Sequence, residues 1–269
     1  MNFISVENLS YHYESNDENN LTKVDVIKNL NMEVKKGEFL CVLGHNGSGK
    51  STLAKHFNAI LLPCGGKVYV DKMDTADEEK CFDIRSNVGL VLQNPDNQLV
   101  ASVVEEDVAF GPENLGVPPK EIRKRVDNAS KAVDMYEYRK NAPYKLSGGQ
   151  KQRLSIARAI TTNPEIYIFD DSFSALDFKT DANLRKALFK ETKDSTILIV
   201  AQRISTILNA DQIIVLDEGK IVGIGSHKEL MKKWGLGDNY VGVGNVVLGY
   251  RDMILPPASP RKEDYIIFD

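Results

Sequence analysis

Short runs that are apolar at nearly every position alternate along this chain with stretches in which apolar side chains return at helical spacing. Residues 3–13 alternate as a strand should, ending in Leu9-Ser10-Tyr11-His12-Tyr13. Ser15 to Lys23 is polar and asparagine-rich and reads as a surface loop. Val24 to Val34 predicts a second strand, and Lys36-Gly37 turns the chain into Glu38-Phe39-Leu40-Cys41-Val42-Leu43, a buried strand. Behind it, Leu53, Ala54, Phe57 and Ile60 recur at helical spacing. Pro63 and Gly65-Gly66 break that pattern. Lys67 to Asp71 predicts a short strand, and Asn87 to Leu92 another that stops at Gln93-Asn94-Pro95. From about 94 to 145 the character is helical, with an amphipathic piece at Val103–Phe110 and a longer one from Glu121 to Tyr138, opening after Pro118-Pro119. The charges Lys120, Arg123, Lys124, Arg125 and Lys131 read as a solvated face. Leu146 to Gln150 precedes a helix running to about Thr162, with Leu154, Ile156, Ala157 and Ile160 on it. Ile166-Tyr167-Ile168-Phe169 is a fully apolar strand closed by Asp170-Asp171, and Ser195–Ala201 and Ile213–Leu216 are two more core strands. Strand, helix, strand, helix is the order of an α/β fold with a mainly parallel sheet covered on both faces.

The junction between the strand ending at Leu43 and the next helix carries chemistry. Gly44-His45-Asn46-Gly47-Ser48-Gly49-Lys50-Ser51-Thr52 fits the phosphate-binding pattern of Gly, four residues, then Gly-Lys-Ser. Glycines at 44, 47 and 49 permit backbone conformations that a Cβ would block, so successive N–H groups can turn inward around an anion. Lys50 is expected to neutralise the β- and γ-phosphates and the Ser51 hydroxyl to hold Mg²⁺. A glycine-rich turn can match by accident, but strand, loop and helix together are the context the motif requires. The expectation is a nucleoside-triphosphate site.

Composition narrows the setting more than the chemistry. A chain of 269 residues, 42% hydrophobic and 27% charged, suits one large domain or a core with a subdomain. The net charge of −4 and the pI of about 5.7 give no reason to expect a nucleic-acid partner. The three cysteines, Cys41, Cys64 and Cys81, lack metal-ligand spacing and read as free thiols in a reducing compartment. The start, Met1 to Glu7, lacks a basic segment followed by an apolar run, so no signal peptide is expected. No apolar run approaches the ~20 residues of a membrane helix. The chain is expected in the cytosol, or on a membrane only by holding a partner.

The phosphate loop, Gln93 at a strand end, Leu146-Ser147-Gly148-Gly149-Gln150, the strand ending in Asp170, and Ser174-Ala175-Leu176-Asp177 come in the order that marks ABC-transporter ATPases. In that order the chain resembles this family over about residues 3–234. The resemblance implies a P-loop NTPase (RecA-like) core, formed by 1–93 and 146–234, with an N-terminal antiparallel β-subdomain and a helical subdomain at 94–145. Tyr13, with Tyr11 as a rival, would stack on the adenine of ATP. Asp170 would hold Mg²⁺ together with Ser51 and Gln93, and Gln93 would also reach the attacking water. Ser147, Gly148, Gly149 and Gln150 would meet the γ-phosphate of ATP held by a second protomer, so that two nucleotides are sandwiched in a head-to-tail dimer. Closing and opening of that dimer would drive a transmembrane partner.

Two residues depart from the family pattern. The usual general base is Glu after the Mg²⁺ aspartate, and here it is Asp171, one methylene shorter. The usual histidine after the following strand is Gln202, which can hydrogen-bond a phosphate but cannot titrate. Together they imply a degenerate site that binds ATP and hydrolyses it slowly. The stretches from His45 to Ala59 and from Gln93 to Asn114 resemble the A subunits of energy-coupling-factor (ECF) vitamin and metal importers. Gln152–Ala159, Phe169–Asp177, Ala201–Thr206 and Asp217–Val222 resemble the nucleotide-binding domains of multidrug exporters, which leaves either a join near 146 or one continuous lineage. The leading expectation is a stand-alone ATPase subunit of an ECF importer. The nucleotide-binding domain of a heterodimeric exporter is the alternative, and a soluble ATP-gated scaffold the second. Residues 235–269 stay unassigned.

Overall fold

The computed structural model describes residues 2–17, 20–174, 176–201 and 209–233. A six-stranded sheet is its centre, made of β3 (Phe39–Leu43), β6 (Val88–Val91), β7 (Ile166–Asp170), β8 (Thr196–Val200), β9 (Gln212–Asp217) and β10 (Lys220–Gly225). The strand order is β10-β9-β3-β8-β7-β6, parallel from β9 to β6, with β10 antiparallel at one edge. The uninterrupted apolar runs have a direct cause. Leu40, Val42, Ile166, Ile168, Leu198, Val200, Ile214 and Leu216 pack into one core, while Cys41, Tyr167, Phe169, Ile197, Ile199, Ile213 and Val215 pack into another. Successive side chains point to opposite faces and both faces are covered, so polar residues are confined to the ends of these strands, as at Asp170, Thr196, Gln212 and Asp217.

The first face is covered by α1 (Lys50–Phe57) and by a four-stranded antiparallel sheet. That sheet contains β1 (Asn2–Asp17), β2 (Asn20–Lys35), β4 (Gly65–Val70) and β5 (Met73–Asp74), in the order β2-β1-β4-β5. Of the expected polar loop at Ser15–Lys23, the described residues are instead strand: the hairpin ladder runs out to Ser15↔Thr22 and Asp17↔Asn20. Backbone pairing carries this ribbon past the end of its apolar pattern, so polarity there marks exposure and not a loop. The second face is covered by α3 (Val104–Asn114), α4 (Pro119–Ala132), α5 (Gly148–Thr162) and α6 (Phe178–Glu191). A short α2 (Cys81–Asn87) leads into β6, and α7 (His227–Lys233) follows β10.

Several expected boundaries move. The α1 helix stops at Phe57, and Ile60, read as part of its apolar face, is 46% exposed. The helix expected over Glu121–Tyr138 ends at Ala132, followed by a separate 3₁₀ turn at Tyr136–Tyr138. Arg125 leaves the expected solvated face and donates from its guanidinium to the Thr161 carbonyl and to Glu121.

One buried ion pair fastens the helical layer. Asp107 of α3 is fully buried and accepts the backbone N–H groups of Val100 and Ala101. Its second oxygen lies 3.5 Å from Nε of Arg158 on α5, and Arg158 also donates to the Gln98 carbonyl. Truncating one partner of a buried pair strands the other charge. Arg158→Leu will therefore lower the unfolding free energy by about 3 kcal/mol, measured by urea denaturation. An unchanged midpoint and slope would refute the strut.

Candidate functional site

Parallel register decides which side chains meet at the carboxyl ends of the strands. Val42 pairs with Ile214 and with Val200, and Val200 pairs with Asp170. The start of the phosphate loop thus stands level with Asp170, two strands away across β8. Val91 pairs with Phe169, so Gln93, two residues further on, stands beside Asp171. A cleft of about 400 Å³ opens there, lined by Tyr13, Val26, Asn46, Gly47, Gly49, Lys50, Ser51, Thr52, Gln93, Asp171 and Val200.

The loop is held by its own geometry. Gly49 precedes α1 with φ of +101°, and a Cβ there would lie 3.0 Å from the Val26 carbonyl oxygen. Both facts exclude a side chain. Lys50 donates from Nζ to the carbonyls of Gly44 and His45 at 2.9 and 2.8 Å. Burial pushes its ammonium below the usual lysine range, while the carboxylates of Asp171 and Asp170 act the other way. Ser51 Oγ donates to Asp170 Oδ1 at 2.7 Å. Asp170 is 2% exposed, and burial raises its carboxyl above the usual range against the opposing pull of Ser51, Lys55 and Lys50.

Asp171 has φ of +46°, a left-handed backbone that aspartate tolerates better than most residues. Gln93 Nε2 donates to its Oδ2 at 3.2 Å. Burial raises the Asp171 carboxyl, the neighbouring Asp170 adds to this, and bonds from Ser174 and Gln93 oppose it. The Tyr13 hydroxyl lies 3.3 Å from Thr52 Oγ1, and its ring meets Tyr11 edge-on with centroids 5.0 Å apart. Tyr13 lines the cleft, whereas Tyr11 packs against the core.

Not every expected residue gathers here. Gly44, His45 and Ser48 belong to the loop without lining the cleft; Ser48 is fully buried and the His45 ring turns towards Asp217. Ser147, Gly148, Gly149 and Gln150 stand elsewhere, at the start of α5. Ser147 caps that helix, accepting from Gln150 N, while Gln150 Oε1 accepts from Ser147 N at 2.8 Å. This capping box leaves the first N–H groups of α5 and the positive end of its dipole at the surface. Gln202 lies outside the described residues, as does the segment 235–269. Val26 and Val200 line the cleft without having been singled out by sequence, because an apolar strand residue carries no mark of which cleft it borders.

Residues 27–174 match the family described as ABC transporter. The energy-coupling factor transporter ATP-binding protein EcfA1 of Clostridium novyi is 53% identical over 244 residues, covering 87% of this chain and 86% of its own. A span of that length crosses residue 146, so one relative aligns with both halves. Among solved structures, cbiO1 from Clostridium perfringens, part of the ABC transporter complex cbiONQ, is 34% identical with a TM-score of 0.73, covering 87% of this chain and 92% of that one. An ATP-binding cassette dimer in a post-hydrolysis state with ADP and Pi is 29% identical with a TM-score of 0.74, covering 83% of this chain and 98% of that one. This chain belongs to the ABC transporter family, within its group of energy-coupling factor ATP-binding proteins.

Proposed function

We propose that this chain is the ATP-binding and ATP-hydrolysing subunit of an ECF-type importer, working at the cytoplasmic face of the cell membrane as one of two cassettes beneath a transmembrane partner. The observation that carries the reading is the single cleft in which Lys50, the Ser51–Asp170 pair, Gln93, Asp171 and Tyr13 converge. Tyr13 supplies a flat face for adenine, and the N–H groups of the loop with Lys50 supply the phosphate site. Ser51 and Asp170 fit magnesium: they are hard oxygen donors 2.7 Å apart, and the buried carboxylate is the kind of charge a cation relieves. Magnesium bound there would neutralise charge on the β- and γ-phosphates. Gln93 would orient the attacking water, and Asp171 would take its proton, its raised pKa favouring that transfer and its short side chain opposing it. Ser147 to Gln150 would close over the nucleotide of the second cassette, so this chain serves its partner's site even where its own is slow.

We also assign the membrane contact to the helical layer at 94–145, whose apolar positions at 103–110 are only in part free to make it. Val104 and Val108 are buried in the core, and Val103 is half-buried. A second cleft of about 620 Å³ instead runs between this layer and the central sheet. Phe82, Phe110 and Ile60 line it and stay 64%, 43% and 46% exposed. Phe82→Asp together with Phe110→Asp will abolish capture by the ECF membrane subunit, because a carboxylate cannot be buried there unpaired. Mg-ATP affinity, read by calorimetry, will stay within about twofold, since neither residue lines the nucleotide cleft. Unchanged capture would refute the placement.

A further inference from the structure

Resting on the reading of Gly44–Thr52 as the phosphate site, we propose that His45 and Asp217 form an ion-paired clasp that sets the shape of the phosphate loop. That makes both of them positioning residues for nucleotide binding. The pairing follows from register. Leu43 of β3 is the partner of Val215 of β9, so two residues further along the parallel strands His45 stands beside Asp217. The imidazole Nε2 lies 3.0 Å from Asp217 Oδ1. The other ring nitrogen, Nδ1, lies 2.7 Å from the Asn46 carbonyl oxygen and can only donate to it. A neutral ring donating there would aim the Nε2 lone pair at a carboxylate. Only the imidazolium satisfies both partners.

The turn bearing Asp217 is itself wedged in place. Gly219 N donates to the Ser48 carbonyl at 3.3 Å, and the Gly219 carbonyl accepts from Lys28 N of β2 at 2.9 Å. Gly219 has φ of +79°, and a Cβ there would meet the Val26 carbonyl at 2.3 Å, so the turn fits tightly against the strand that borders the cleft. From this anchor the clasp reaches the phosphate site in one step. The His45 carbonyl accepts both Ser48 N and Lys50 Nζ, at 3.2 and 2.8 Å. Holding the His45 ring therefore fixes the carbonyl on which the Lys50 ammonium rests. Four partners meet the ring and its residue: the Asp217 carboxylate from β9, the Asn46 carbonyl from the loop, and Ser48 N and the Lys50 ammonium on the His45 carbonyl.

Simple charge addition and the clasp predict opposite signs. Asp217 is an acid near a polyphosphate site, so by charge alone Asp217→Asn tightens ATP binding. The clasp predicts weakening, by about two- to fivefold, the scale of a half-exposed ion pair. The test is calorimetric titration of the full chain with a magnesium complex of non-hydrolysable ATP analogue, with thermal melting to confirm that each variant folds. His45→Gln should weaken binding on the same scale as Asp217→Asn, and His45→Arg, which keeps a cation opposite the carboxylate, should restore most of it. Equal affinities of His45→Gln and the unaltered chain overturn the proposal, and so does tighter binding by Asp217→Asn. Lys50→Ala run alongside separates the two readings: unchanged affinity there would sink the phosphate site itself and not the clasp alone.

Discussion

Lys50→Ala will weaken Mg-ATP binding by at least about tenfold, because one cation facing two phosphates in a half-desolvated cleft contributes a few kcal/mol. The structure sharpens the reason. Lys50 is 7% exposed, its ammonium is held by two loop carbonyls, and its charge is disfavoured by burial and supported by Asp171 and Asp170. A cation so placed has few waters to shed when a polyphosphate arrives, and its attraction is little screened. The measurement is titration calorimetry on both proteins, with thermal melting to confirm that the variant folds. Equal affinities would overturn the phosphate-site assignment.

Restoring glutamate and histidine together, Asp171→Glu with Gln202→His, will raise steady-state phosphate release per dimer by about ten- to a hundredfold at saturating Mg-ATP. Asp171 reaches one methylene less far than glutamate, and Gln93 holds its Oδ2 at 3.2 Å. Burial and Asp170 raise its pKa, which gives it basicity. Reach and not basicity is then what the substitution repairs. The introduced histidine would add a contact to the same transition state, so each change alone will give less than its share of the double variant's gain. Asp170→Asn should move the other way, impairing magnesium-dependent binding and turnover, since it removes a charge from the proposed metal shell. If the unaltered chain already turns over as fast as the double variant, the degenerate-site reading fails and Asp171 is a working base.

Much of this protein was legible in the order of its residues. The apolar runs at Leu40–Leu43, Ile166–Phe169 and Ile197–Val200 announced a sheet buried on both faces, since no strand with one wet face can be apolar throughout. The glycines, Lys50 and Ser51 read as a phosphate loop because the chemistry of an anion site needs those residue types within a few positions, and the structure sets them between β3 and α1. Local chemistry of this kind is written locally. So is the capping box of Ser147 and Gln150, which starts α5 from four consecutive residues.

What the linear order could not contain is adjacency between strands. Asp170 meets Ser51 because β7 and β3 both flank β8 in a fixed register, and Gln93 meets Asp171 because β6 lies beside β7. The same register brings His45 to Asp217 across 172 positions of chain, and no periodicity marks that pair. Burial was equally hidden. Val104 and Val108 share one amphipathic piece with Phe110, yet they are buried in the core while Phe110 stays 43% exposed. Sequence determined which groups this protein has for phosphate chemistry and the period of each element that bears them. Only the tertiary structure decided which of them touch, because hydrogen-bonded register between strands distant in the chain sets those distances.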